Sequence, residues 1–85
     1  GVLSLTRAMA AEFGEHGITV NCISPGQIPR TDSNADQVET FRKMIPLQRT
    51  GLSQDLKGTA ALLASDAGAW ITGQEFRVDG GWSIW

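Results

Sequence analysis

The chain has 85 residues, of which 41% are hydrophobic and 19% charged, and this balance favours one small folded domain over disorder. Seven basic and nine acidic residues give a net charge of −2 without a basic stripe, which argues against nucleic acid and acidic membrane surfaces as partners. A single cysteine, Cys22, excludes an internal disulfide, and no apolar run reaches the roughly 20 residues that cross a bilayer. We therefore expect a soluble protein from a reducing, cytoplasmic compartment.

The first segment predicts an amphipathic helix over residues 1–14, closed by Gly14. Its main apolar face recurs at helical spacing and consists of Val2, Leu5, Met9 and Phe13. A second, smaller strip contains Leu3, Ala10 and Ala11, so we expect cover on more than one side of the helix. The chain begins at Gly1 without a methionine or a polar lead-in, which suggests a fragment of a longer protein.

Residues 18–24 alternate apolar and polar side chains and then stop at Pro25-Gly26, which is typical of a half-buried strand that ends in a turn. In an open parallel sheet, ligands bind in the crevice just beyond the carboxyl ends of the strands. The segment from Pro25 to about Thr31 is therefore the best-placed candidate for ligand contact.

Residues 25–45 predict a crevice-edge loop followed by a lid. Asn34 with Gln37 three residues later fits a capping box, and the short helix it opens should end before Pro46. A polar loop and a short amphipathic helix beside a crevice are the usual parts of a movable cover, although a rigid insertion fits the pattern equally well.

The remaining segments are a helix over 53–65, a strand over 75–78 and an apolar tail over 79–85. Ser53 is the expected N-cap of that helix, and the strand alternates charged with apolar residues as an edge strand does. We expect the tail to contact this subunit or a partner because it is too apolar to lie free in water.

The order helix, strand, helix, helix, strand predicts an α/β fold: the C-terminal portion of a doubly wound parallel sheet of the Rossmann type. The two strands are joined by a long helical connection, so they should run parallel. Two parallel strands form a poor domain alone, because parallel strands need cover on both faces, so we expect the fold to be incomplete in isolation.

Several charged residues favour structural roles. Asp32, Asp36 and Glu39 indicate a solvated face rather than a metal site, because no second set of ligands converges on them. Arg49 and Asp79 are expected to hold loops or subunit contacts.

Six short strings occur in an order and at spacings that closely resemble the C-terminal third of the short-chain dehydrogenase/reductase family. They are GITVN at 17–21, SPG at 24–26, IPL at 45–47, LLASD at 62–66, ITGQ at 71–74 and VDGG at 78–81. Each string is weak alone, but six in register cover essentially the whole chain.

The resemblance implies a single-domain Rossmann enzyme that moves a hydride between NAD or NADP and an alcohol or carbonyl substrate. Family members use a Ser-Tyr-Lys set, and the resemblance implies that the Tyr-x-x-x-Lys pair lies immediately before Gly1. The chain contains no tyrosine and no glycine-rich phosphate fingerprint. We therefore expect no catalytic residue and no turnover from these 85 residues alone.

The resemblance also implies that Pro25, Gly26, Gln27 and Ile28 lie against the nicotinamide, with backbone groups bonding its carboxamide. Many members place a cofactor-contacting threonine four residues after the glycine. Arg30 occupies that position here and Thr31 follows it, which leaves two possibilities. Thr31 takes over the cofactor contact, or Arg30 faces substrate or phosphate.

Many family members are tetramers, which implies a homo-oligomer joined through the helices at 1–13 and 54–64 and the strand at 75–78. The alternative to an oxidoreductase segment is a non-catalytic truncated fragment, or an interaction module that pairs through its apolar helices. The resemblance implies that residues after an earlier strand of the fold, outside residues 1–85, decide between NAD and NADP.

Overall fold

Two parallel strands and three α-helices make up the structure, a computed structural model that describes residues 1–85. Short 3₁₀ turns follow or precede several of these elements. In chain order the main elements are α1 (Val2–Phe13), β1 (Cys22–Pro25), α2 (Ala35–Met44), α3 (Lys57–Ala64) and β2 (Glu75–Val78).

The two strands pair in parallel, with Cys22 opposite Glu75 and Pro25 opposite Val78. Both strands therefore end at the same edge of the sheet, and the connection between them carries α2 and α3. The predicted α/β fold and parallel pairing are confirmed, and β2 has the predicted bounds.

β1 is shorter than the predicted strand over 18–24 and begins only at Cys22. Residues 20 and 21, which precede β1, form hydrogen bonds with side chains of their own or of the loop before β2. The Val20 amide donates to the Thr72 hydroxyl at 3.0 Å, and the Asn21 side chain bonds this loop from both its amide and its carbonyl. Only one backbone bond, from the Gly73 amide to the Val20 carbonyl at 2.7 Å, accompanies these side-chain bonds, so the regular ladder starts only at Cys22.

α1 has the predicted extent, but its buried side is different from the predicted main face. Val2 and Leu5 are 71% and 60% exposed, whereas Thr6 and Ala10 are buried. The small side chain of Ala10 lies beside Gly73, and the Thr6 hydroxyl is satisfied by the Val2 carbonyl at 2.8 Å. Small residues thus let α1 approach the loop before β2 closely, and Val2 and Leu5 face outward, whereas Met9 and Phe13 of the predicted face are half-buried.

α2 begins at the predicted cap, but the capping box is only half formed, because the Gln37 side chain makes no bond back to Asn34. The Asn34 side chain accepts hydrogen bonds from the backbone amides of Asp36 and Gln37 at 2.9 and 3.1 Å. The helix ends at Met44, and Ile45 is extended as expected for a residue before proline.

The helix predicted over 53–65 with Ser53 as N-cap is wrong at its start. A 3₁₀ turn over Ser53–Leu56 comes first, its N-cap is Leu52, and α3 begins at Lys57. The Asp55 carboxylate accepts the Leu52 amide at 2.7 Å, so a residue inside the turn supplies the cap. The aspartate reaches back to the first free amide, a contact that removes the need for a serine cap.

Little of the chain is buried. Its accessible surface is 6251 Å², against roughly 4,900 Å² for a folded monomer of this mass. Its radius of gyration is 15.3 Å, against about 12 Å for a closed domain of this length. The exposed large apolar side chains are Val2, Leu5, Ile18, Met44, Leu47, Leu52, Leu62, Trp70, Ile84 and Trp85.

One tryptophan of the tail packs against α2, and the other is largely exposed. Trp82 meets Phe41 edge to face, with ring centroids 5.9 Å apart. Trp85 is 83% exposed, although its indole nitrogen donates to the Met44 carbonyl at 3.1 Å. The tail therefore ties β2 to α2 while it leaves apolar surface free.

Replacing Asn34 by alanine removes both capping bonds and should lower the free energy of unfolding by about 1 kcal/mol. Asn34→Ser is the matched control, because a serine hydroxyl can cap the same amides. Urea unfolding of the three chains measures the difference. Equal midpoints for Asn34→Ala and the unchanged chain would contradict the capping role.

Candidate functional site

The candidate site lies at the sheet edge where both strands end. The Gly26 amide donates to the Val78 carbonyl at 3.0 Å, which carries the strand pairing one residue past β1. The carboxyl ends of parallel strands form the usual ligand crevice of open α/β sheets. The two loops that leave the strands therefore define the walls of the site.

Gly26 is the point of closest approach between these loops. A Cβ atom on Gly26 would lie 2.6 Å from the Asp79 Cβ and 2.7 Å from its Cα, closer than real carbon atoms approach. The absence of a side chain therefore allows the two backbones to touch.

The loop after β2 is a tight turn stabilised by Asp79. Its carboxylate accepts the Gly81 amide at 2.9 Å and the Ser83 amide at 3.2 Å. Hydrogen bonding from Ser83, and then from Gly81, lowers the pKa of Asp79 from its usual value. Gly80 and Gly81 have φ values of 65° and 96°, which favour glycine. Asp79 thus holds a loop, as the sequence predicts.

Residues 45–51, which we call the strap, cross the crevice beside this turn. Ile45 is 2% exposed, and its side chain occupies the space beside Gly80, where an added Cβ would lie 2.7 Å from it. The Leu47 amide donates to the Gly80 carbonyl at 3.1 Å. The strap is therefore fixed to the turn after β2 by one packing contact and one backbone bond.

The strap also contacts the loop after β1. The Gly51 amide donates to the Gln27 carbonyl at 2.7 Å. A Cβ on Gly51 would lie 3.0 Å from the Ile28 side chain, so the strap and the loop meet without space between them. Gly51 is the second position where glycine allows close backbone approach at this site.

A bidentate ion pair fixes the far end of the strap. Two Arg49 guanidinium nitrogens donate to the two Asp55 carboxylate oxygens at 2.8 and 3.0 Å. Hydrogen bonds from Arg49, and then from the Leu52 amide, lower the pKa of Asp55 to about 2. The same pairing raises the pKa of Arg49.

These segments enclose a cavity of about 130 Å³. Its lining combines apolar side chains, among them Ile45 and Val78, with the Arg49–Asp55 pair and Asp79. A cavity with an apolar wall and a few fixed polar groups suits a small organic group. The lining residues are Gln27, Ile28, Ile45, Leu47, Arg49, Gly51, Asp55, Val78, Asp79 and Gly80.

Only part of the predicted contact set lines this cavity. Gln27 and Ile28 line it, whereas Gly26 contacts Asp79 and Pro25 ends β1. The cavity wall also includes four strap residues, none of them in the predicted contact set: Ile45, Leu47, Arg49 and Gly51.

Arg30 and Thr31 lie away from this cavity on an exposed turn. The Arg30 amide donates to the Ser33 hydroxyl at 2.9 Å, and the Arg30 side chain lies 3.7 Å from Asp32. A second recess of about 100 Å³ lies between this loop and α2 and includes Gln27, Pro29 and Phe41.

No group of three or more His, Cys, Asp or Glu side chains gathers in an arrangement that could hold a metal ion. No helix combines the length and the apolar content that a membrane span requires.

The family described as Enoyl-(Acyl carrier protein) reductase matches residues 1–83. An uncharacterized oxidoreductase of Mycobacterium tuberculosis is 45% identical over 85 residues, covering 95% of this chain and 34% of the relative. The 3-oxoacyl-(acyl-carrier-protein) reductase FabG of Staphylococcus aureus is 44% identical over 84 residues, with the same coverage. The chain thus spans about a third of the length of these curated relatives.

Solved structures are similar over nearly the whole chain. A short-chain dehydrogenase from Leptospira borgpetersenii with bound NAD+ gives a TM-score of 0.94 at 36% identity, covering 99% of this chain and 33% of that one. A 4-hydroxyisoleucine dehydrogenase complexed with NADH and succinate gives a TM-score of 0.89 at 37% identity, covering 99% and 35%.

Replacing Gly26 by alanine should destabilise the chain by about 1–3 kcal/mol, because the new methyl group forces the two strand ends apart. Gly58→Ala is the matched control, since a Cβ there meets nothing within 4 Å inside α3. That change should stabilise the helix by up to about 1 kcal/mol. Urea unfolding tests both, and a neutral Gly26→Ala would contradict the close contact.

The Asp55 pairing predicts a pH dependence of stability. The folded-state pKa is about 2, below the roughly 3.9 of an unfolded aspartate, so the unfolded chain binds more protons between these values. The contribution of Asp55 is therefore complete above about pH 4–5 and is lost as the pH falls towards 2.

Urea midpoints measured from pH 6 to pH 2.5 test this dependence. The chain with Asp55→Asn should lose less stability on acidification than the unchanged chain. Asp32→Asn is the control, because Asp32 lies on an exposed turn 3.7 Å from its arginine. Identical acid profiles for Asp55→Asn and the unchanged chain would contradict the prediction.

Proposed function

Because the chain belongs to the short-chain dehydrogenase/reductase family, we propose that it forms the closing part of an NAD(P)-dependent oxidoreductase. The enzyme moves a hydride between the nicotinamide and an alcohol or carbonyl substrate. The observation that carries this proposal is the cavity at the carboxyl ends of β1 and β2, the place where open α/β sheets bind their ligands. Similar solved structures hold NAD+ or NADH, which supports a dinucleotide as the ligand.

The loop after β1 is proposed to be the nicotinamide edge. Gly26 keeps the loop backbone tight against the turn after β2, which leaves Gln27 and Ile28 on the cavity wall. Pro25 fixes the direction of the loop as it leaves the strand. The half-buried Ile28 offers an apolar surface to a planar ring, and its own backbone amide and carbonyl, which make no backbone hydrogen bond, suit a carboxamide.

Bound NAD(P) supplies the hydride acceptor or donor, and these residues supply binding and orientation. Gly51 lets the strap meet the loop after β1 closely, and the cavity beside them combines apolar and polar lining residues, which is the physical reason we assign the nicotinamide to it. The chain has no tyrosine, so the phenolic acid/base of the family must come from outside residues 1–85. We accordingly propose that the 85 residues alone do not turn over substrate.

The loop and helix over 25–45 are proposed to be the substrate lid. The recess between the loop and α2 and the exposed Arg30 support this role, because both lie beside the nicotinamide edge. We also propose that Thr31 contacts the cofactor. This contact requires the exposed turn to close over the ligand. These assignments leave the substrate as an alcohol or carbonyl compound without further definition.

A cytoplasmic homo-oligomer is proposed for the whole enzyme. The free thiol of Cys22 suits a reducing compartment, and the exposed apolar residues on α1 and α3 suit subunit contacts. The same exposed residues, among them Leu5 and Leu62, favour the second candidate function, a non-catalytic module that pairs through its helices. The two candidates differ in whether the crevice binds a dinucleotide.

A chimaera separates them. The matching third of the Staphylococcus aureus reductase FabG is replaced by these 85 residues, and oxidation of NADH and NADPH is followed with a keto substrate. We expect nicotinamide-dependent reduction, because the segment supplies the missing wall of the crevice.

The control is the same chimaera with Gly26→Val, which fills the contact with Asp79 and should lower turnover strongly. Circular dichroism and gel filtration establish that both proteins are folded. A folded unmodified chimaera that binds neither NADH nor NADPH would favour the non-catalytic module.

A further inference from the structure

The ion pair between Arg49 and Asp55 joins the strap to the turn that leads into α3, beside the cavity. Arg49 belongs to the strap, Asp55 belongs to the turn that leads into α3, and both residues line the cavity. The Arg49 side chain is 55% exposed and the Asp55 side chain 27% exposed. The pair therefore lies at the rim, with its carboxylate on the sheltered side.

The pair fixes a closed loop of backbone. Asp55 accepts two bonds from Arg49 and one from the Leu52 amide at 2.7 Å, and Arg49 also donates to the Thr50 carbonyl at 3.2 Å. Four hydrogen bonds thus restrain the residues between Arg49 and Asp55. Charged bidentate bonds of this kind are stronger and more directional than neutral ones.

Gly51 lies inside that closed loop and is the point where the strap contacts the loop after β1. Its amide bonds the Gln27 carbonyl at 2.7 Å, and a Cβ on Gly51 would lie 3.0 Å from Ile28 and 3.8 Å from the Asp55 carboxylate. A displacement of the pair therefore moves Gly51, and a displacement of Gly51 moves Gln27 and Ile28.

We propose that Arg49 and Asp55 are positioning residues that hold the nicotinamide edge in place through Gly51. This inference rests on the proposed function, since it gives the pair a role in dinucleotide affinity. Both residues line the cavity, but the proposed effect on affinity passes through Gly51, whose amide exchange reports it separately from any contact with the ring. The pair sets where the Gln27 carbonyl and the Ile28 side chain lie, and their positions decide how well the ring fits.

The other close bidentate ion pair offers a matched comparison. Arg42 donates to Glu39 at 2.8 and 2.7 Å, but both residues lie within α2 at a spacing of three. Glu39 itself bonds neither the loop after β1 nor the strap, and its partner Arg42 makes one long bond to the strap, to the Gln48 carbonyl at 3.3 Å. Glu39→Gln removes the same charge and the same kind of bond as Asp55→Asn, and leaves in place the four bonds of the closed loop and the Gly51 amide bond.

The experiment uses the full natural gene product that contains these residues. Dissociation constants for NADH and NADPH are measured by titration for the unchanged protein, Asp55→Asn, Arg49→Met, Arg49→Lys and Glu39→Gln. Hydrogen exchange of the Gly51 amide is measured in the same five proteins. Exchange reports the hydrogen bond to Gln27 directly and needs no bound dinucleotide.

We expect Asp55→Asn and Arg49→Met to weaken binding of the preferred dinucleotide by roughly 3- to 30-fold and to accelerate exchange at Gly51. Arg49→Lys should keep part of the dinucleotide affinity and part of the protection of the Gly51 amide, because it keeps the charge and loses only the bidentate geometry. Glu39→Gln should change neither.

Lowered thermal stability with unchanged Gly51 exchange and unchanged dissociation constants in both variants would overturn the proposal, because the pair would then be structural only. Faster Gly51 exchange without a change in affinity would also overturn it. If the unchanged protein binds neither NADH nor NADPH, the proposed function fails, and the exchange data still show whether the pair holds Gly51.

Discussion

The close parallel approach of the chain at Gly26 and Asp79 is the constraint on which the rest of the site depends. Pairing continues past β1 through the bond from the Gly26 amide to Val78, and the two backbones then touch where no side chain intervenes. This contact brings two loops, distant in the sequence, to one sheet edge. A crevice can form only because the loops leave that point in different directions.

The strap completes the site by bridging the two loops. Ile45 fills the space beside Gly80 in the turn after β2, and Gly51 contacts the loop after β1. The strap therefore contacts both loops. The ion pair at Asp55 then fixes the strap to the start of α3. The wall of the cavity is thus one continuous set of contacts from β1 to β2, although few of its residues are buried.

The sequence predicted what local chemistry decides. The alternation at 75–78, the cap at Asn34 and the stop before Pro46 each depend on neighbouring residues, and each is confirmed. The prediction that β1 begins at residue 18 was wrong, because the Asn21 side chain bonds the facing loop. A pattern of hydrophobicity does not reveal such a contact.

The site was only partly predictable for the same reason. Gln27 and Ile28 follow a strand and a Pro-Gly turn, so the sequence indicated them, whereas Ile45 and Asp55 lie in the segments predicted as the lid and as a helix and were not predicted to line a site. The capping position of Asp55, three residues after Leu52, was the available signal. The buried side of α1 was predicted in part, because Ala10 belongs to the smaller predicted strip, whereas the buried Thr6 is polar and belongs to neither strip.

The most direct test of the account is a crystal structure of the full natural gene product with bound NADH. We expect the nicotinamide carboxamide to lie within hydrogen-bonding distance, about 2.7–3.2 Å, of the backbone of Ile28. A nicotinamide bound at another surface, with the loop from Pro25 to Ile28 out of contact with the ring, would contradict it.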